Sequence, residues 1–294
     1  MIYDLHMHSN CSDGSDSWET ILQKAEKAGL DYISITDHEN CDVYYKMKDP
    51  QKYFSGKIIV GIELVAFFKG IVIEILGYGF DTEKMREAIK GLYMPVDKVH
   101  RIELERLYNR CLEIGMEFAP GVPERYDKNV HFFSTIYLHS EMRKFPGNRR
   151  FVPDDESWER ENIFFRRYTS NPDSPFYIDA SDLFPSAAKV IGLIRSVGGK
   201  AVVPHVYQYG EHSDIILNGL LEDCDIDGLE CFYPSFTREQ TAHLISICRE
   251  RALLVSGGSD YHGQSRPELE IGMMNDLIKE MASNEAQSVA ECIG

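Results

Sequence analysis

Short apolar runs rich in β-branched residues alternate with amphipathic stretches over most of the chain. Ile2 to Leu5 reads as a strand. Asp16-Ser-Trp-Glu19 then supplies an N-cap with an acid at the third helical position, and Ile21, Leu22, Ala25 and Ala28 trace a helical face that stops at Gly29. Tyr32 to Ile35 is a second strand and completes a β-α-β unit. Lys57 to Glu63 and Ile71 to Leu76 follow as further strands.

The character changes after Gly79. Residues 81–181 are more charged and mainly helical, with Leu104, Leu107, Tyr108, Cys111 and Leu112 on one helical face and turn signals at Pro153 to Glu156 and Ser170 to Pro175. Alternation resumes at Ser186. Ala187 to Ile194 reads as a helix stopped by Gly198-Gly199, followed by strands at Lys200 to Val203 and Gly228 to Glu230. Thr237-Arg-Glu-Gln240 is a capping box for a helix to about Arg251, and Leu253 to Ser256 is the last strand. The pattern predicts an α/β fold in which 1–80 and 182–294 form a closed barrel of parallel strands and 81–181 is an inserted, mainly helical subdomain.

The strand ends collect His6, His8, His38, Glu63, Glu74, His205, Asp260 and His262, with Asp13 just past the first. His6 with His8, and Asp260 with His262, are two apart, so each pair projects from one face of its strand. The carboxyl ends of parallel strands share one face of such a fold, so distant segments deliver imidazoles and carboxylates to one place. Plainer readings exist for each position: hydrogen-bonded core histidines for His6 and His8, a buried paired carboxylate for Glu63. Glu74 shares its strand face with Val72 and Leu76, which leaves ligation and packing both open. His131 enters an apolar run after a loop containing Gly121 and Pro123, and spacing leaves its ligand role open too. His100, His139, His212 and His243 have no partner in register and read as ordinary surface residues.

Mixed imidazole and carboxylate sets without sulfur suit manganese, iron or zinc in a site of two or three divalent ions. Such ions bring the pKa of a shared water near neutrality and clamp phosphoryl oxygens, which points to hydrolysis of a phosphate ester.

Composition narrows the partners. The 294 residues are 43% hydrophobic and 11% aromatic, as in a globular protein, and no apolar stretch is long enough to span a membrane. A formal charge of −16 argues against a duplex nucleic-acid surface, while small anionic substrates stay possible if metal ions reverse the local field. Seven cysteines without a C-x-x-C pair, and no apolar leader, fit reduced thiols in the cytoplasm. Cys11 and Cys41 lie near candidate ligands but read better as small buried hydrophobes.

Taken together, Asp4-Leu-His6-Met-His8-Ser9, Asp13-Gly14, Ile35-Thr-Asp37-His38, Gly61-Ile-Glu63, the run from Gly198 to His205, Asp227-Gly-Leu-Glu230 and Gly258-Ser-Asp260-Tyr-His262-Gly263 resemble the PHP family, named for polymerase and histidinol phosphatase. The resemblance implies a distorted (β/α)7 barrel with a trinuclear site. It would place His6, His8, Glu63 and Asp260 on one ion and Asp13, His38 and His262 on another. Glu63 would bridge to a third ion shared with His131 and a residue of the Ile71 to Leu76 strand. His205 and Asp260 become the candidate catalytic residues, His205 as a donor beside the substrate phosphate.

Two departures stand out: many relatives carry histidine at Glu74, and many have Arg-Pro-His where this chain has Asn129-Val130-His131. A carboxylate at Glu74 would make its subsite harder and favour manganese or iron over zinc, or Glu74 turns away and the third site is weak. Lys128, Arg166 or Arg167 could replace the missing arginine as a phosphate contact if the insertion folds over the barrel mouth. The implied function is a metal-dependent phosphoesterase for a small phosphate monoester, such as a nucleoside 3',5'-bisphosphate or a short oligonucleotide end. A metal-bridging hydroxide would be its nucleophile. Histidinol phosphatase, and a non-catalytic metal-binding or regulatory barrel, are the alternatives. The metal, the substrate within its class and the oligomeric state stay open at this point.

Overall fold

The computed structural model describes residues 1–128, 130–131, 133–281 and 287–293, and its named strands fall into two sheets. In the first, β1 (Tyr3–Asp4), β2 (Tyr32–Ile33) and β3 (Lys57–Ile58) run parallel in that order. The second contains β4 (Gly61–Phe68), β5 (Ile71–Tyr78), β6 (Lys200–Val203), β7 (Gly228–Phe232) and β8 (Leu254–Gly257), adjacent in chain order.

The fold is α/β, but two expectations are corrected. First, β5 runs antiparallel to both β4 and β6. Only Lys69 and Gly70 separate β4 from β5, with φ of 48° and 89°, so the connection is a tight hairpin with no room for the crossover that a parallel pair requires. Second, the sheets do not close into one barrel. They are stitched at two seams by single bridges, His38 to Glu63 and Met7 to Tyr261. The expected strand from Lys57 to Glu63 is split across one seam: its first residues pair with β2, while Gly61 onward pairs with β5. Gly61 permits the change of sheet, because a Cβ there would lie 2.1 Å from Ser34 Oγ.

The helix Trp18–Lys27 is capped by Ser17, not Asp16, and closes on Gly29 at φ 67°. The Thr237–Gln240 capping box opens the helix Arg238–Arg251 as expected. Leu5, Ile62, Ile75, Tyr78, Val202 and Leu229 belong to the main core, which also takes Met85 from the helix Thr82–Leu92. Within residues 81–181, Leu104, Leu107, Cys111, Tyr137, Phe164 and Phe176 form a separate core. The seven cysteines are free thiols, and Cys41, Cys111, Cys231 and Cys248 are buried. Among the described residues no helix is long and apolar enough to cross a membrane.

Candidate metal centre

Alternation at the end of β1 turns Met7 into the core beneath the helix Trp18–Lys27 and sends His6 and His8, both fully buried, to the opposite side. Asp37 accepts from the Ser9 amide at 2.7 Å and the Ser12 hydroxyl at 2.7 Å, which shapes the loop carrying Asp13. Gly14 is required by that loop, since a Cβ would sit 2.3 Å from the His8 carbonyl oxygen. The antiparallel β4–β5 pairing sets Glu63 opposite Leu76 and Glu74 opposite Val65, so the two acids are diagonal neighbours on one face. His205 and Asp260 adopt positive φ, 25° and 54°, the kind of backbone strain that surrounding structure must hold in place.

These segments bring nine side chains together in overlapping groups. His6, His8 and Asp260 form one. The Nε2 atoms of His6 and His8 each lie 3.2 Å from Glu63 Oε2, and 3.5 and 3.4 Å from Asp260 Oδ1. Ligands about 2.1 Å from a common ion are themselves about 3.0–3.4 Å apart, so this spacing suits coordination. His8, Asp13, His38 and His262 form the second group, with His262 Nε2 3.0 Å from Asp13 Oδ2 and His38 Nε2 3.7 Å from Asp13 Oδ1. The third region joins Glu63 to His6 and His205, and to His38 and Glu74.

The donors fit divalent ions on their own evidence. His8 Nδ1 and Nε2 and His262 Nε2 are buried without a hydrogen-bond partner, an arrangement costly for neutral imidazole in a dry interior. His6 Nδ1 lies 2.9 Å from Glu230 Oε1, which leaves Nε2 aimed at the cluster in the manner of a braced ligand. Burial opposes ionisation of Asp13, Glu63 and Asp260, yet the imidazoles, with Arg266 in the case of Asp260, hold all three carboxylates below their ordinary range. Burial alone would lower His8, but Asp260 and Glu63 push it up to about 10. The cluster therefore calls for positive charge, which protons or metal ions can supply.

The structure places other expected residues differently. His131 packs on the Tyr137 ring, 5.3 Å between centroids, and joins none of the ligand groups found among the described residues. Its neighbour Asn129 lies outside the described residues. Lys128 is exposed, paired with Asp97 at 2.7 Å, and is not among the residues lining the neighbouring cavity. Arg167 reaches the cavity rim but is held by Asp154 and Glu156. Arg166 alone of the three reaches the cluster, 3.2 Å from Glu74. His100 and His139 are not surface residues: each is buried, bonded to Tyr126 and to the Ser157 carbonyl respectively. His212 bonds Asn171.

A cavity of about 840 Å³ adjoins the cluster, lined by residues that include Arg160, Arg166, Tyr209, Tyr233 and Arg266. Asp260 Oδ2 accepts from Arg266 at 2.7 Å and from the Tyr233 hydroxyl at 2.9 Å, leaving Oδ1 for the imidazoles. Arg266 and Tyr233 were not singled out from sequence, and Glu230 entered only as the end of the Asp227 to Glu230 motif, without a site role. Glu230 had a signal, as a lone acid in the apolar run Leu229 to Phe232; Arg266 follows a loop with no periodicity to read.

The family model for the PHP domain matches residues 4–121, which carry His6, His8, Asp13, His38, Glu63 and Glu74. Over those residues the chain is similar to PHP domains. Its relatives align over nearly their whole length. A phosphoribosyl 1,2-cyclic phosphate 1,2-diphosphodiesterase of Eggerthella lenta is 27% identical, over 90% of this chain and 95% of that protein. A 3',5'-nucleoside bisphosphate phosphatase of Chromobacterium violaceum is 22% identical, over 93% and 92%. A solved structure from Bifidobacterium adolescentis, assigned as a metal-dependent phosphoesterase, superposes with a TM-score of 0.64 at 21% identity, covering 98% of this chain and 97% of that one. The imidazole nitrogens without hydrogen bonds are candidate metal donors, and His6, His8 and His38 fall within the PHP-like stretch.

Proposed function

We propose that this PHP-like protein is a metal-dependent phosphoesterase that hydrolyses a small phosphate monoester, a nucleotide such as a nucleoside 3',5'-bisphosphate or the end of a short oligonucleotide. The observation that carries the reading is the meeting of two features: a buried imidazole and carboxylate cluster with unpartnered nitrogens, and a cavity walled by Arg166 and Arg266. Divalent ions at the cluster would activate water and offset charge on the phosphoryl oxygens. His6, His8, Glu63 and Asp260 would hold one ion, and Asp13, His38 and His262 another.

The protein's own groups do the rest. Arg166 and Arg266 line the cavity where a phosphate would dock and offer it cationic partners. His205 Nε2, 3.2 Å from Glu63 Oε1 and 3.3 Å from Glu74 Oε2, stands beside the reacting centre as the candidate donor to a leaving oxygen. Residues 81–181 serve as an inserted subdomain over the barrel-like frame, a role supported by their separate core and by Arg166, which they lend to the cavity. The arginines also disfavour histidinol phosphate, whose ammonium group they would repel. The Eggerthella relative's name points to a cyclic phosphodiester, which belongs in the same assay.

The test is phosphate release by chelator-treated protein supplied with manganese, iron or zinc. Substrates would be adenosine 3',5'-bisphosphate, adenosine 5'-monophosphate, a ribose 1,2-cyclic phosphate and histidinol phosphate. Metal-dependent turnover highest on the bisphosphate is expected. Turnover without metal, or none on any substrate, would overturn the reading.

A further inference from the structure

The third region of the cluster differs from the other two in what its carboxylate already holds. Glu74 Oε2 lies 3.2 Å from Arg166 Nη2 and 3.3 Å from His205 Nε2. Arg166 is nearly buried, with 11% of its side chain exposed, and is fixed on three sides. Its Nη1 donates to Gln208 at 2.9 Å, and its guanidinium stands 5.7 Å from the Tyr209 ring centroid. The Tyr209 hydroxyl in turn accepts from the Glu74 amide at 3.1 Å, so one tyrosine braces both members of the pair.

The backbone that presents Arg166 is specialised. It leaves a single turn of π-helix, Phe165–Thr169, whose widened end is tied off by the Thr169 and Ser170 hydroxyls on the Phe165 carbonyl. Such turns re-aim side chains and recur at functional sites. The imidazole expected to complete a third ion site, His131, packs on Tyr137 instead.

We infer that Arg166 supplies the third positive charge of this cluster, pairing with Glu74 where a third ion would otherwise bind, so that the protein takes two divalent ions. A dication on Glu74 would share one carboxylate with the guanidinium, and mutual repulsion at such separations is large in a buried site. Arg266 likewise pairs with Asp260 Oδ2 at 2.7 Å, but the first position keeps Asp260 Oδ1 and the His8 Nε2 that makes no hydrogen bond as donors, whereas the position at Glu74 must borrow His38 from the second group. The arrangement also gives Arg166 two employments. It balances Glu74 at rest, and its cavity-facing side is placed to meet an anionic substrate.

The inference rests on the phosphoesterase reading, but its test needs no substrate. Chelator-stripped protein is loaded with manganese, freed of excess by gel filtration, and its metal content measured alongside a calorimetric titration. Wild type should bind two ions per chain, Arg166→Met three, and the Arg166→Met/Glu74→Gln double variant two again. Glu74→Gln alone should keep two, and it serves should Arg166→Met not fold. Three ions in the wild type, two in folded Arg166→Met, or a lost ion in Glu74→Gln would overturn the role of Arg166. A wild-type count below two would instead overturn the metal-site reading beneath it.

Discussion

Two regions of the molecule bury histidine and glutamate, and they treat the charges in opposite ways. In the proposed insertion, burial drives His100 down to about 4 and Glu103 up to about 7; the imidazole bonds the Tyr126 hydroxyl and the carboxyl accepts from Ser134. Burial favours the neutral form of both, and it does so for Glu103 against the Ser134 hydroxyl, which favours the carboxylate. At the strand ends, Glu63 and Asp260 are buried and Asp13 nearly so, yet all three stay ionised, each facing several imidazoles, while His8 and His262 keep nitrogens without a hydrogen bond. Burial by itself neutralises. A buried cluster that keeps its carboxylates ionised and its imidazole nitrogens unpartnered is arranged for cations.

The comparison can be broken at several points. The largest effect is expected from His8→Ala, because His8 belongs to both of the first two ligand groups. Phosphate release should fall to the level of metal-free protein and metal content should drop, with the melting temperature of the metal-free form little changed. Glu230→Gln acts one step removed, since Glu230 orients His6 and receives the His205 amide at 2.7 Å. Metal affinity should weaken about 10–100-fold, measured by competition with a chelating dye.

The insertion should answer to pH instead of metal. His100 has a folded pKa below its unfolded value of 6.5, so its contribution is present above that pH and is lost as pH falls toward about 4. The loss is about 3 kcal/mol at most, and His100→Asn should flatten the acid limb of stability measured by urea unfolding. Glu103 has the opposite sign. Its folded pKa, about 7, is above its unfolded 4.5, so its contribution is present below 4.5 and is lost as pH rises through 7. Glu103→Gln should remove that alkaline loss without changing the metal content.

Much of this was legible in the chain. Residues two apart at strand ends, the glycine of the Asp13-Gly14 turn and the shift to helix after Gly79 each rest on local rules that tertiary contacts reinforce. The antiparallel course of β5 was missed because its apolar run reads the same in either direction; the decisive signal was the two-residue Lys69-Gly70 link. His100 and His139 were misjudged because a lone histidine carries no register, and only the separate insertion core buries them. The Arg166–Glu74 pair joins residues 92 positions apart, and Arg266, only 6 from Asp260, sits in an irregular loop, so no periodicity encodes either contact.

The most direct measurement is anomalous diffraction at the manganese edge from crystals loaded with that ion. The account predicts one peak among His6, His8, Glu63 and Asp260, a second among Asp13, His38 and His262, and none on Glu74 or near His100 and Glu103. Crystals that take up manganese without a peak at either of the first two positions would contradict it.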